Sequence, residues 1–89
     1  MKAIVSVIGK DQVGILAMVA SECAAANVNI LDVNQTIVDG IFTMTMSVDV
    51  LNPDLSVSQF GENLEKLGAA MNLVVRVMHQ DIFDSMHRI

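Results

Sequence analysis

Asp39-Gly40-Ile41-Phe42-Thr43-Met44-Thr45-Met46-Ser47-Val48-Asp49-Val50 carries the clearest period in the chain. Phe42, Met44, Met46, Val48 and Val50 alternate with Thr43, Thr45, Ser47 and Asp49. A period of two puts the first set on one face of a strand and the second on the other, so this strand has a dry face and a wet face. Asp39-Gly40 supplies the positive φ angles of a tight hairpin turn. Residues 30–38 therefore form the preceding antiparallel strand, with polar and apolar residues mixed on both of its faces.

Downstream, Asn52-Pro53-Asp54 reads as a loop, because proline cannot donate to a ladder and biases Asn52 away from helix. Ser56 with Gln59 three residues on resembles a capping box, and Phe60, Leu64, Leu67 and Met71 follow at helical spacing. Glu62, Asn63, Glu65 and Lys66 fall on the solvent side of that helix. Residues 73–78 give a fourth strand. Residues 81–89 place Ile82, Met86 and Ile89 at helical spacing, which predicts a short amphipathic tail. Upstream, residues 2–8 are β-branched and apolar almost throughout, the pattern of a central strand. Residues 13–26 turn to helix formers, with Leu16, Val19, Ala20 and Cys23 at helical spacing, Asp11 placed as a cap, and Asn27-Val28-Asn29 closing the helix. Glu22 is its only charge, and one buried face does not account for so apolar a helix.

The order is β-α-β-β-α-β plus tail, which predicts an α+β sandwich of ferredoxin-like layout. Right-handed crossovers put both helices on one face of a four-stranded antiparallel sheet in which the first and fourth strands are neighbours. The other face carries Thr43, Thr45 and Ser47 beside Ile4, Val74 and Met78. A face so mixed requires partial cover, from the tail or from a second subunit.

With 89 residues there is surface enough for one modest core, and 53% hydrophobic against 17% charged residues excludes disorder. The longest apolar stretch, 13–26, is interrupted by Glu22 and is too short to cross a bilayer, so no membrane association is expected. Ten acidic residues against five basic ones give a formal charge of −5, which repels phosphate backbones and argues against nucleic acid as a partner. The apolar run at the N-terminus ends at Gly9-Lys10-Asp11 without a small-residue cleavage site, and one cysteine makes no internal disulfide. A cytoplasmic protein is expected.

No catalytic constellation emerges. His79 and His87 have neither a nearby cysteine nor H-x-x-x-H spacing, and no serine sits in a G-x-S-x-G elbow. Cys23, on an apolar helix face without a basic neighbour, reads as a small buried hydrophobe. Met44, Met46 and Met71 read as core filling. Asp11, Glu22, Asp32, Asp39 and Asp49 show no helical pairing that would raise a carboxyl pKa for acid catalysis, and Asp81 and Asp84 read as a solvated helix start. A non-enzyme without cofactor or metal is expected.

The informative segment is Gly9-Lys10-Asp11-Gln12-Val13-Gly14, which joins the first strand to a helix start. Such a loop turns backbone N–H groups and the positive end of a helix toward a carboxylate or other anion. Gly9 and Gly14 serve equally well as turn and close-packing residues. Asn29 is expected beside this loop, adding an amide that both donates and accepts, although it also reads as the residue closing the helix-to-strand turn.

Gly9-Lys10-Asp11-Gln12-Val13-Gly14-Ile15-Leu16, followed by Asn27-Val28-Asn29-Ile30 and the four-strand pattern, resembles the ACT domain. The likeness spans residues 2–80, so residues 1–80 are expected to form the domain and 81–89 a separate tail. That tail resembles the ending of small stand-alone, functionally uncharacterised ACT proteins of bacteria and archaea. The resemblance implies a regulatory module, of a kind often attached to enzymes of amino-acid metabolism, that pairs side by side through its first strands or helices. It also implies that an amino acid is held at that interface. Asp11 and Asn29 are then polar ligand contacts, with Gln12 and the amides of Val13, Gly14 and Ile15 nearby. Serine-binding ACT domains tend to have Asn in place of Asp11 and His in place of Gly9. A carboxylate at Asp11 disfavours a ligand carboxylate and favours an amino group or a cation.

The reading that follows is a homodimeric amino-acid-binding regulator acting in trans. The alternative is a dimerisation or adaptor subunit that docks a partner protein without binding a small ligand. An acylphosphatase on the same layout is opposed by the first loop, where Lys10 is the only basic residue and no arginine is present.

Overall fold

The structure, a computed structural model, describes residues 1–86. The elements run β1 (Lys2–Lys10), α1 (Ile15–Ala25), β2 (Val28–Val38), β3 (Ile41–Val50), α2 (Val57–Ala70), β4 (Val74–His79) and α3 (Gln80–Met86). The four strands form one antiparallel sheet in the order β2-β3-β1-β4, with β1 and β4 adjacent as the sequence implies. Asp39 and Gly40 take φ of 51° and 76°, the left-handed angles of the hairpin between β2 and β3. Phe42, Met44, Met46, Val48 and Val50 are all buried, as their alternation requires.

The core lies between the sheet and the two long helices. Val5 and Val7 of β1, Val19 and Cys23 of α1, and Phe60 and Leu64 of α2 meet the dry face of β3 there. The buried stripe of α1 is Ile15, Val19 and Cys23, four residues apart, with Leu16 exposed. Val19 and Cys23 face inward as read, but a helix apolar on nearly every side does not announce its whole stripe, and Ile15 rather than Leu16 completes it.

On α2, Ser56 is the N-cap: its Oγ accepts from the Gln59 N–H at 3.0 Å. The reciprocal half of a capping box is missing, because the Gln59 side chain donates to Asn63 Oδ1 instead. The packing stripe runs Phe60, Gly61, Leu64, Gly68, while Leu67 stays 38% exposed. Two glycines let the helix backbone approach β4, and a hydrophobicity count does not register residues without side chains. The helix ends in a Schellman motif, with Leu73 N–H donating to Gly68 O and Asn72 N–H to Ala69 O, and Asn72 at φ 59°. Asn27, at φ 58°, closes α1 in the same left-handed conformation.

The second sheet face is partly covered by α3, which lies against β1 and β4. Ile4 points away from both long helices and is only 8% exposed. Phe83 is the half-buried apolar residue of this helix, whereas Ile82 and Met86 are exposed; Ile89 of the expected stripe, and His87, lie outside the described residues. Among the described residues no helix is long and apolar enough to cross a membrane.

Candidate ligand-binding site

The loop between β1 and α1 is built by three local constraints. Gly9 sits where β1 passes the turn after α2: a Cβ there would lie 2.5 Å from Leu73 Cδ2 and 3.3 Å from both Asn72 O and Leu73 Cα. A side chain there has to displace Leu73 and crowd two main-chain atoms, so Gly9 is a close-packing residue. Gly14 is the N-cap of α1 at φ 97°, a conformation that costs a side-chain-bearing residue about 1–2 kcal/mol, with open space where a Cβ would stand. Gly14 is thus the turn residue of the pair.

Asp11 does not cap α1, contrary to the sequence reading. No side chain caps this helix, and the Asp11 backbone N–H donates to Gly40 O of the β2–β3 turn at 2.8 Å, which holds the loop beside that hairpin. The first intrahelical bond runs from Met18 N–H to Gly14 O, so the amides of Ile15, Leu16 and Ala17 have no carbonyl one turn earlier to pair with. Asp11 itself is exposed.

Gln12 acts as a brace. Its Nε2 donates to Met71 O at 2.9 Å and to Lys10 O at 3.3 Å, tying the loop to the end of α2. Val13 projects outward with 100% relative exposure, while Ile15 turns inward and is buried. The loop therefore exposes a carboxylate and an apolar side chain a few residues before the main-chain donors that open α1.

Asn29 is not part of that surface within one chain. Asn29 pairs with Asp49, whose other neighbour is Lys2, whereas Val38 pairs with Ile41, whose other neighbour is Lys10. Lys2 and Lys10 are eight residue steps apart on β1, about 26 Å at roughly 3.3 Å per residue. The physical reason is that α1 returns the chain to the start of β1, so β2 begins at the far end of the sheet.

The same topology identifies the free edges. β1 is hydrogen-bonded on both sides and has no edge to offer, so the pairing through first strands that the resemblance implies is blocked. β2 is an edge strand of eleven residues, exposed along almost its whole length, with Leu31, Val33, Ile37 and Val38 among the exposed apolar residues. It is interrupted by one irregularity between Ile30 and Asp32 and carries neither lysine nor proline, the usual protections of an exposed edge. The outward face of α1 beside it holds the small residues Ala17, Ser21 and Ala24.

Other chemistry is sparse. Burial pushes the Cys23 thiol up to about 11, with a smaller contribution from Glu22, which keeps it protonated and inert at neutral pH. His79 Nδ1 accepts the Asp81 N–H at 3.1 Å, so a backbone role accounts for that histidine. Among the described residues no three metal-ligating side chains come together.

A family profile described as "ACT domain" matches residues 2–78. A UPF0237 protein of Pyrobaculum aerophilum is 46% identical over 87 residues, covering 98% of this chain and 97% of the relative. Among solved structures, an ACT domain protein from Streptococcus pneumoniae superposes with a TM-score of 0.82 at 33% identity, covering 94% of each chain. A formyltetrahydrofolate deformylase from Pseudomonas putida shares the fold at a TM-score of 0.77 and 11% identity, over 88% of this chain and 28% of that one. The glycine-bounded loop, the sheet order and these likenesses agree, and the chain belongs to the ACT-domain family.

Proposed function

We propose that this protein is a regulatory module that works in trans as a homodimer and binds a small molecule, an amino acid, at the loop 11–15. ACT domains are generally regulatory ligand-binding modules. The observation that carries the reading is the uncapped start of α1, opened by left-handed Gly14 and lying beside the end of an exposed edge strand. Main-chain donors of Val13, Gly14 and Ile15 suit a carboxylate, and the Asp11 carboxylate suits an ammonium group, so the two together match an α-amino acid.

A second copy supplies what one chain lacks. If β2 pairs antiparallel with its own symmetry mate about a two-fold axis near Asn34, the partner's Asn29 falls opposite Asp39, since 34 is midway between 29 and 39. Asp39 adjoins Gly40, whose carbonyl holds the Asp11 amide. Asn29 then completes the site of the neighbouring protomer, and α1 meets its mate through the small residues Ala17, Ser21 and Ala24. In this reading residues 1–80 are the sensing unit, 81–89 are an appended tail, and the setting is the cytoplasm. No nucleic acid or membrane enters it.

Thermal unfolding in the presence of each of the twenty amino acids tests the proposal. A ligand at about 100 times its Kd adds about 2.7 kcal/mol of stability. Silence toward all twenty at millimolar concentration counts against amino-acid sensing. The tail favours a second reading, an adaptor subunit, because Ile82 and Met86 remain 55% and 65% exposed. The adaptor predicts an intact dimer, ligand silence, and a protein partner that is lost when residues 81–89 are deleted.

A further inference from the structure

We infer a second ligand site, on the sheet face opposite α1 and α2, that takes a small monocarboxylate with an apolar body. Between α3 and the sheet lies a cavity of about 240 Å³ lined by Ile4, Ser6, Thr45, Arg76, Met78, Phe83 and Met86. Register explains its polarity. Ser6 pairs with Thr45 on one side and Arg76 on the other, so two hydroxyl-bearing residues and an arginine share one rung of the floor. Ile4 and Met78 pair on the next rung along that face, and Phe83 and Met86 of α3 add apolar walls. One end of the cavity is polar and cationic, the other apolar.

Among the described residues Arg76 is the one charged residue that lines the cavity, so a ligand anion there meets a cation. The arginine is lightly held. One Nη1 donates to Val75 O at 2.9 Å and stands 3.8 Å from Glu65 Oε1, with the two side chains 70% and 44% exposed. Exposed pairs of that kind are weak, and the planar fork retains further donors for a carboxylate. The Ser6 and Thr45 hydroxyls rotate to donate to the same group. Methionine's flexible thioether adapts to the body of the ligand. A cavity of about 240 Å³ suits a small branched acid rather than a large ligand.

The probe is 4-methylpentanoate, of that size, compared with its neutral amide, and the readouts are the methionine methyl and backbone amide NMR spectra of the whole chain. The acid is expected to shift the Met78 and Met86 methyls saturably and leave Met44 and Met46, buried on the opposite face, unmoved. The amide against the unmodified protein, and the acid against Arg76→Gln, are each expected to bind about tenfold more weakly. Thr45→Val, which keeps shape and removes the hydroxyl, is expected to weaken the acid more than the amide. Equal affinity for acid and amide overturns the carboxylate assignment, and no saturable shift at millimolar concentration overturns the site. Shifts confined to the amides of residues 13–15 overturn it as well, while leaving the loop reading untouched.

Discussion

Gly9→Ala separates the packing half of the glycine-bounded loop from its binding half. The added methyl meets Leu73 Cδ2 at 2.5 Å, and Asn72 O and Leu73 Cα at 3.3 Å. Leu73 is buried, so its side chain has little room to turn away. Overpacking of this kind costs about 1–3 kcal/mol, while replacing glycine within a strand regains about 0.5–1 kcal/mol, for a net loss of about 1–2 kcal/mol. In a domain of this size that lowers Tm by about 5–15 °C, read by calorimetry and by urea unfolding at unchanged m. Leu73→Ala removes the nearest atom but leaves both main-chain atoms in place. In a double-mutant cycle the cost of Gly9→Ala therefore shrinks on the Leu73→Ala background without vanishing. Because Gly9 offers no group to the loop surface, the folded variant retains ligand affinity. A neutral or stabilising Gly9→Ala would refute the close approach of β1 to the turn after α2.

Gly14→Ala places a side chain at φ 97° and is expected to lose about 1–2 kcal/mol through backbone strain alone, with Gly14→Asn losing less, by urea denaturation. Cys23 is expected to resist alkylation in the folded protein at neutral pH. Its folded pKa of about 11 lies above the ordinary value of 9.0, so the folded state binds its proton more tightly. That contribution is fully present below about pH 9 and declines by about 1.4 kcal/mol per pH unit between 9 and 11, which Cys23→Ser removes from the pH–stability curve. Ile37→Lys on the free edge of β2, and Ala24→Glu on the outward face of α1, are each expected to raise the dimer dissociation constant in sedimentation. If both leave self-association unchanged, the copies meet elsewhere.

Much of the fold was legible because its signals are local. Alternation in β3, the Asp39-Gly40 turn, the Ser56 cap and the Asn27 helix end depend on a few neighbouring residues, and each stands where its chemistry requires. The inward stripe of α2 was harder to read, because Gly61 and Gly68 pack by lacking side chains while Leu67, apolar and in phase, faces solvent. On the tail, Phe83 rather than Ile82 meets the sheet, since a helix of seven residues is oriented by what it lands on. The loop at residues 11–15 was legible as a segment, but two of its roles were not. Asp11 anchors to Gly40 through its main chain, and Gln12 reaches Met71, a residue 59 positions away. Asn29 was assigned to the right strand and the wrong end of the sheet, an error of strand direction that the register exposes.

The central claim is that two copies share each site, and intersubunit complementation tests it most directly. Asp11→Ala spoils the loop of its own chain, and Asn29→Ala spoils what its chain gives to the partner, so each homodimer loses binding of the amino acid identified by thermal shift. In a mixed dimer the Asn29→Ala chain supplies a sound loop and the Asp11→Ala chain a sound Asn29, which together rebuild one of the two sites. In an equimolar mixture about half of the dimers are mixed, so calorimetric titration is predicted to recover about one site in four at unmodified affinity; a mixture as silent as its two components would contradict the account.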